Sequence, residues 1–140
     1  MIKKAKHPGL KLSLAHHLAE TDQHKVALEL ICKQLGIELE GDLNQDLKGI
    51  LEEGEKVMSE GTAGKALDAA IIASAKNVEQ YEISEYRIAA HSAEMLGHKG
   101  IASRLRLTLE EEQQADTKLS FMAKELVYPQ AQMATAESRP

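Results

Sequence analysis

Apolar residues recur at helical spacing over runs of about thirty residues, and little but glycine interrupts them. Leu10, Leu14, Leu28, Ile31 and Leu35 form one such run, closed by Gly36. Leu67, Ile71, Val78, Ile88 and Met95 form a second, closed by Gly97. Leu105, Leu109, Leu119, Met122 and Leu126 form a third, before Pro129. The spacing predicts a helix over 9–35, a second from an N-cap at Thr62 to Met95, and a third that Pro129 ends. A shorter amphipathic helix carries Leu47, Ile50, Leu51, Val57 and Met58, with Gly61 and Gly64 breaking it. No strand alternation and no internal repeat is present. The fold class is therefore all-α: a bundle of three long helices and one short crossover helix. The long connection between the first two long helices suits a crossover. The tight loop at 98–100 makes the second and third antiparallel neighbours. One domain over 1–128 is expected, with 129–140 as a flexible C-terminal tail.

Composition narrows the function. A net charge of −5 argues against nucleic acid as a partner, since such a binder needs a basic face to displace counterions. The single cysteine, Cys32, excludes an internal disulfide framework and reads as a buried small hydrophobe in a reducing compartment. Residues 1–6 are basic, but Pro8 and Gly9 stand where a signal peptide would carry its apolar core. The longest apolar stretch, 69–75, is far too short to span a bilayer. No membrane partner and a cytoplasmic location are expected.

Each long stripe carries ionisable residues near its middle. At about 100° per residue, His17 and His24 fall near the centre of the first stripe, with Glu20 about 60° off it. On the second, Glu82 lies within about 40° of Val78 and Glu85 within about 20°, while Glu79 sits at the flank, about 100° away. On the third, Glu112 is central and Asp116 about 40° off. If the helices pack side by side, these clusters meet in one layer. A buried carboxylate must be neutralised, paired or bound to a cation. Carboxylates and imidazoles layered inside a bundle form the ligand set of a di-iron or di-manganese site. The spacing differs from the usual Glu-x-x-His: the first helix has His17-x-x-Glu20 and Glu20-x-x-x-His24, and the third has Glu112-x-x-x-Asp116.

Four segments carry a resemblance. His17-Leu-Ala-Glu20-Thr21-Asp-Gln-His24, with Leu35-Gly36 closing the helix, resembles a His-Leu-x-Glu-Thr signature. Val78-Glu79-Gln80-Tyr81-Glu82-Ile83 resembles a Val-Glu-x-Tyr-Glu-Ile motif, and Leu109-Glu-Glu-Glu112-Gln-Gln-Ala-Asp116 a third. Leu51-Glu-Glu-Gly54-Glu resembles the short crossover helix. Together they resemble the YciE/YciF-type ferritin-like proteins, bacterial stress-associated four-helix bundles with a proposed di-iron site. The resemblance implies a ferritin-like bundle, often dimeric, with Glu20, Glu82 and Glu112 as leading metal ligands. His17, Glu79 and Asp116 match its pattern as ligands or as partners of ligands. His24 stands where the family has Gln or His, and Glu85 where it has a small residue. The family's first helix, with its acidic ligand, has no counterpart beyond residues 1–7, which resemble its last turns. An exposed apolar groove is therefore expected, and with it a homo-oligomer, a dimer as the first guess, that completes the bundle.

Plainer readings stand beside these. His17 and His24 read alternatively as hydrogen-bonded core histidines, and Glu82 and Glu112 as half of a salt bridge. No Lys or Arg on the central stripes is expected to pair with them, and Arg87 and Arg104 lie on other faces or in other layers. Tyr81 and Tyr86 read as packing residues, Glu110 and Glu111 as a solvated face, and His7, His91 and His98 as surface or turn residues. Two functions follow. The first is a metal-binding protein holding iron, with Mn or Zn not excluded, and Fe(II) chemistry toward dioxygen or peroxide. A di-manganese, peroxide-consuming centre is a weaker variant. The second is a non-catalytic helical oligomer or interaction module with a degenerate metal site. Nothing marks a nucleophilic hydrolase, a phosphate loop or a Cys-x-x-Cys site, and no residue is assigned a catalytic role.

Overall fold

A computed structural model describes the backbone of residues 1–39, 41–42, 44–60 and 64–137, and the side chains among these as far as 126. The described residues are helical apart from turns and short connections. The elements are α1 (Pro8–Leu35), α2 (Gln45–Ser59), α3 (Gly64–Met95) and α4 (Lys99–Glu137). None is long and apolar enough to cross a membrane.

Local chemistry sets the ends. Pro8 opens α1, and the His7 ring accepts a hydrogen bond from the Leu10 amide, which supplies one of the acceptors a helix start needs. Gly36, at φ 67, ends α1 in the left-handed region, and the Ile37 amide donates back to the Cys32 carbonyl. Gly97, at φ 81, ends α3 the same way, with His98 donating to Ala93. This left-handed cap suits a residue without Cβ. Asn44 caps α2 by accepting from Asp46. The expected N-cap Thr62 and the breaker Gly61 lie outside the described residues.

The predicted stop at Pro129 is corrected, because α4 continues to Glu137. Proline's fixed φ is itself helical, so its cost is one hydrogen bond and a clash with the preceding turn, which a helix can absorb. Met95 is also corrected. The spacing puts it on the second stripe, but it is 73% exposed, two residues past the last buried residue of α3, Ala93.

Two apolar clusters flank the middle of the bundle. One joins Ala5, Leu10, Leu67, Ile71, Ile72, Ala75 and Leu119. The other joins Ile31, Ala90, Ala93, Ala102 and Leu105. Because Leu10 meets Ile71 and Ile31 meets Ala90, α1 runs parallel to α3. The α3–α4 hairpin is antiparallel and shares the most extensive packing, with α2 on α3 and α1 on α4. α2 is the crossover: its 15 residues, about 22 Å of helix, return the chain along the bundle. Gly54 lets α2 approach closely, since a Cβ there would stand 3.4 Å from the Ser74 Cβ. Buried Asp68 accepts from the amides of Lys6 (2.6 Å) and His7 (2.9 Å) and latches the first turn onto α3.

Candidate metal centre

Between the two apolar clusters lies a polar layer. His17 on α1, Glu79 and Glu82 on α3 and Glu112 on α4 each offer one donor atom, and these atoms all lie within 4.8 Å of one another. His17 Nε2 is 3.0 Å from Glu79 Oε1 and 3.4 Å from Glu112 Oε2. Its other nitrogen, Nδ1, is 3.4 Å from Glu20 Oε2. His24 lies behind Glu112, with Nδ1 3.0 Å from Glu112 Oε1 and Nε2 2.5 Å from Glu111 Oε2. The Tyr86 ring meets His24 edge-on at 6.2 Å.

The seven residues singled out from the sequence part company here. His17, Glu79, Glu82 and Glu112 converge. Glu20 is half-buried beside His17 and is also 3.5 Å from His16. His24 touches the layer through Glu112. Asp116 is held by Lys76, whose Nζ donates to Asp116 Oδ1 at 2.6 Å. That pair brings a cation to the neighbouring turn, while among the described residues no Lys or Arg pairs with Glu82 or Glu112. Lys76 is three residues before Glu79, so it shares the face that meets α4.

Four further expectations are corrected. Glu79, placed at a flank, is buried, whereas Glu85, placed inward, is exposed. The wheel was anchored on Val78, which lines an open cleft, while the face packed on α4 is that of Ile72, Ala75, Glu79 and Ile83. Glu111, read as solvated, reaches back to His24, and Cys32 is half-buried rather than buried. Spacing alone assigns no interior partner to Asp68, Lys76 or Glu111. A Lys or Glu within one turn of a central carboxylate was the available signal.

Burial and mutual charge set the protonation. The hydrogen bond to Glu79 outweighs the cost of burying His17 and pushes its pKa up to about 9. Burial, then the charges of Glu112 and Glu79, push Glu82 up to about 7. Glu79 is raised by burial, with Glu112 adding to it. For Glu112 burial acts upward too, but contacts with His24 and Glu79 hold it below the usual carboxylate value. His24 is raised, because Glu112 and Glu111 outweigh its burial. Burial and then the Glu82 charge push Tyr86 up to about 12.

The donor set fits a hard divalent cation. Glu79 Oε2 and Glu112 Oε2 are buried without a hydrogen bond, the latter 3.4 Å from His17 Nε2. Buried acceptors are rarely left so, and a cation is one partner that carboxylate oxygens accept. A cleft of about 710 Å³ opens beside the layer, lined by Leu14, Leu18, Leu51, Met58 and Val78, with His17, Glu79 and Glu82 also on its wall.

The chain is similar to proteins already described. It is 42% identical over 77 residues to Protein YciF of Escherichia coli (strain K12), a stretch covering 55% of this chain and 46% of that protein. The curated relative is thus matched over about half its length. The crystal structure of the E. coli stress protein YciF superposes with a TM-score of 0.86 at 30% identity, over 91% of this chain and 80% of that one. YcfI of Rhodopseudomonas palustris, described as a candidate structural protein, superposes with a TM-score of 0.81 at 36% identity, over 85% and 76%. Residues 1–132 match the family described as "Domain of unknown function (DUF892)", and the chain belongs to that family, whose helical-bundle fold it shares with YciF.

Proposed function

We propose that this protein is a ferritin-like, metal-binding member of its family acting in a stress response, with iron at the centre of the bundle. The observation that carries the reading is the pair of buried, unpartnered oxygens on Glu79 and Glu112 facing His17. His17, Glu79, Glu82 and Glu112 would hold the cation, with Glu20 and His24 orienting the two sides of the layer. Bound iron would supply redox chemistry toward dioxygen or peroxide. The residues do the rest. Three carboxylates neutralise the cation's charge, His17 supplies nitrogen once it loses its proton, and the flanking apolar clusters keep water from either end. Manganese and zinc compete for the same donors.

The test is metal analysis of protein purified without chelator, repeated on Glu82→Ala. Iron in the parent and its loss in the variant are expected. Equal metal content in both rejects the assignment.

A second reading is favoured by the cleft. There α1 and α3 turn apolar side chains outward, and Leu12, Leu18, Val26 and Leu30 along α1 are also exposed. It makes the protein a non-catalytic helical oligomer, a homodimer first, in which a second copy lays a helix into the cleft. A folded dimer that binds neither Fe(II) nor Mn(II) at micromolar concentration supports it. A monomer at all concentrations removes it.

A further inference from the structure

We infer that Lys76 is a specificity-determining residue that withholds Asp116 from the ligand set and so limits how many divalent cations the bundle accepts. The inference rests on the metal-binding reading above. Asp116 follows Glu112 by four residues, which puts both carboxylates on one face of α4, a turn apart. Lys76 precedes Glu79 by three, on the matching face of α3. The α3–α4 seam therefore carries two adjacent rungs: Glu79 with Glu112, and Lys76 with Asp116.

The rungs differ in how their oxygens are satisfied. In the first, one oxygen of each carboxylate makes no hydrogen bond, and His17 Nε2 stands 3.4 Å from that of Glu112. In the second, the Lys76 ammonium donates to Asp116 Oδ1 at 2.6 Å, to Ser120 Oγ at 2.5 Å and to the Asp116 carbonyl at 3.4 Å. An ammonium has three donors, and all three are used. The side chains are 29% and 18% exposed, so salt screens the pair less than it would an open surface pair. A divalent cation at Asp116 would have to displace a like charge already seated there. With a neutral side chain at 76, Asp116 would be a half-buried carboxylate without compensation, one turn from Glu112, and a hard cation would supply that compensation.

The test is equilibrium dialysis of the full chain against Mn(II), with circular dichroism to confirm helicity. Lys76→Met is expected to bind one more Mn(II) per chain than the parent, or to bind about tenfold tighter. The double variant Lys76→Met/Asp116→Asn returns to the parent's behaviour, and Lys76→Arg retains it. Asp116→Asn alone stays within about twofold of the parent. A helical Lys76→Met indistinguishable from the parent overturns the proposal. So does a loss of about tenfold or more in Asp116→Asn, which would make Asp116 a ligand. Where Lys76→Met does not fold, Asp116→Asn decides alone. Failure of the parent to bind Mn(II) rejects the metal centre as a separate result. Gain of a site in Lys76→Met then still supports the lock, and no gain overturns it.

Discussion

Ile71 and Glu112 are buried to nearly the same depth, at 0% and 1% exposure, yet they do opposite work. Ile71 belongs to the apolar cluster near the start of α1, where withdrawal from water is itself the driving force. Glu112 belongs to the polar layer, where withdrawal from water costs free energy that His17, His24 or a cation must offset. Burial alone therefore does not identify what holds this bundle together. The ends hold the helices, and the middle is held by them.

Truncating the apolar end gives the largest expected effect. Ile71→Ala removes a fully buried side chain from a packed cluster and is expected to destabilise by about 2–5 kcal/mol in denaturant melts. A loss below about 1 kcal/mol would show that this end is not the anchor.

The middle should respond instead to cations. At free Mn(II) about 100-fold above its dissociation constant, linkage is expected to add about 2.7 kcal/mol, read as a rise in melting temperature. The Glu82→Ala variant should lose most of that rise. An equal rise in both would place the cation outside the polar layer.

Acidity sharpens the contrast. In cation-free protein, His17 has a folded pKa raised to about 9 from 6.5, so its stabilisation is complete below pH 6.5 and fades as pH climbs through 9. Glu82, raised to about 7 from 4.5, binds more protons folded than unfolded between those values, so it too lowers stability as pH rises there. Stability should fall by about 2 kcal/mol between pH 6 and pH 9, after discounting for partial solvent exposure. Cation affinity should rise over the same range, because ligands must shed protons. A flat stability profile would mean that the layer is solvated.

The smallest effect has the more informative sign. Glu82→Gln should stabilise cation-free protein by about 1 kcal/mol at pH 8, since it removes a charge that burial and Glu112 disfavour. A chemical melt that shows destabilisation would make Glu82 a structural partner rather than a reserved ligand.

Much of the fold was legible along the chain. Gly36 and Gly97 end helices where the spacing said they would, and the crossover helix lies where Leu47–Met58 placed it. The candidate site was legible only in outline. His17, Glu82 and Glu112 stood out because each breaks an apolar stripe. The wheel had Glu79 and Glu85 reversed, because α3 has two apolar faces, one on α4 and one on the cleft, and periodicity cannot say which is covered.

The spacing of apolar residues and glycines by itself determined the helices, the ends set by Gly36 and Gly97 and the height at which charge enters the interior, since those depend on contacts within a few residues. Only the tertiary structure decided which charges meet. Whether Asp116 faces a cation site or Lys76, and whether Glu111 faces water or His24, depends on the rotation and register of one helix against another. That alignment is set by packing across the whole bundle and is written in no single helix.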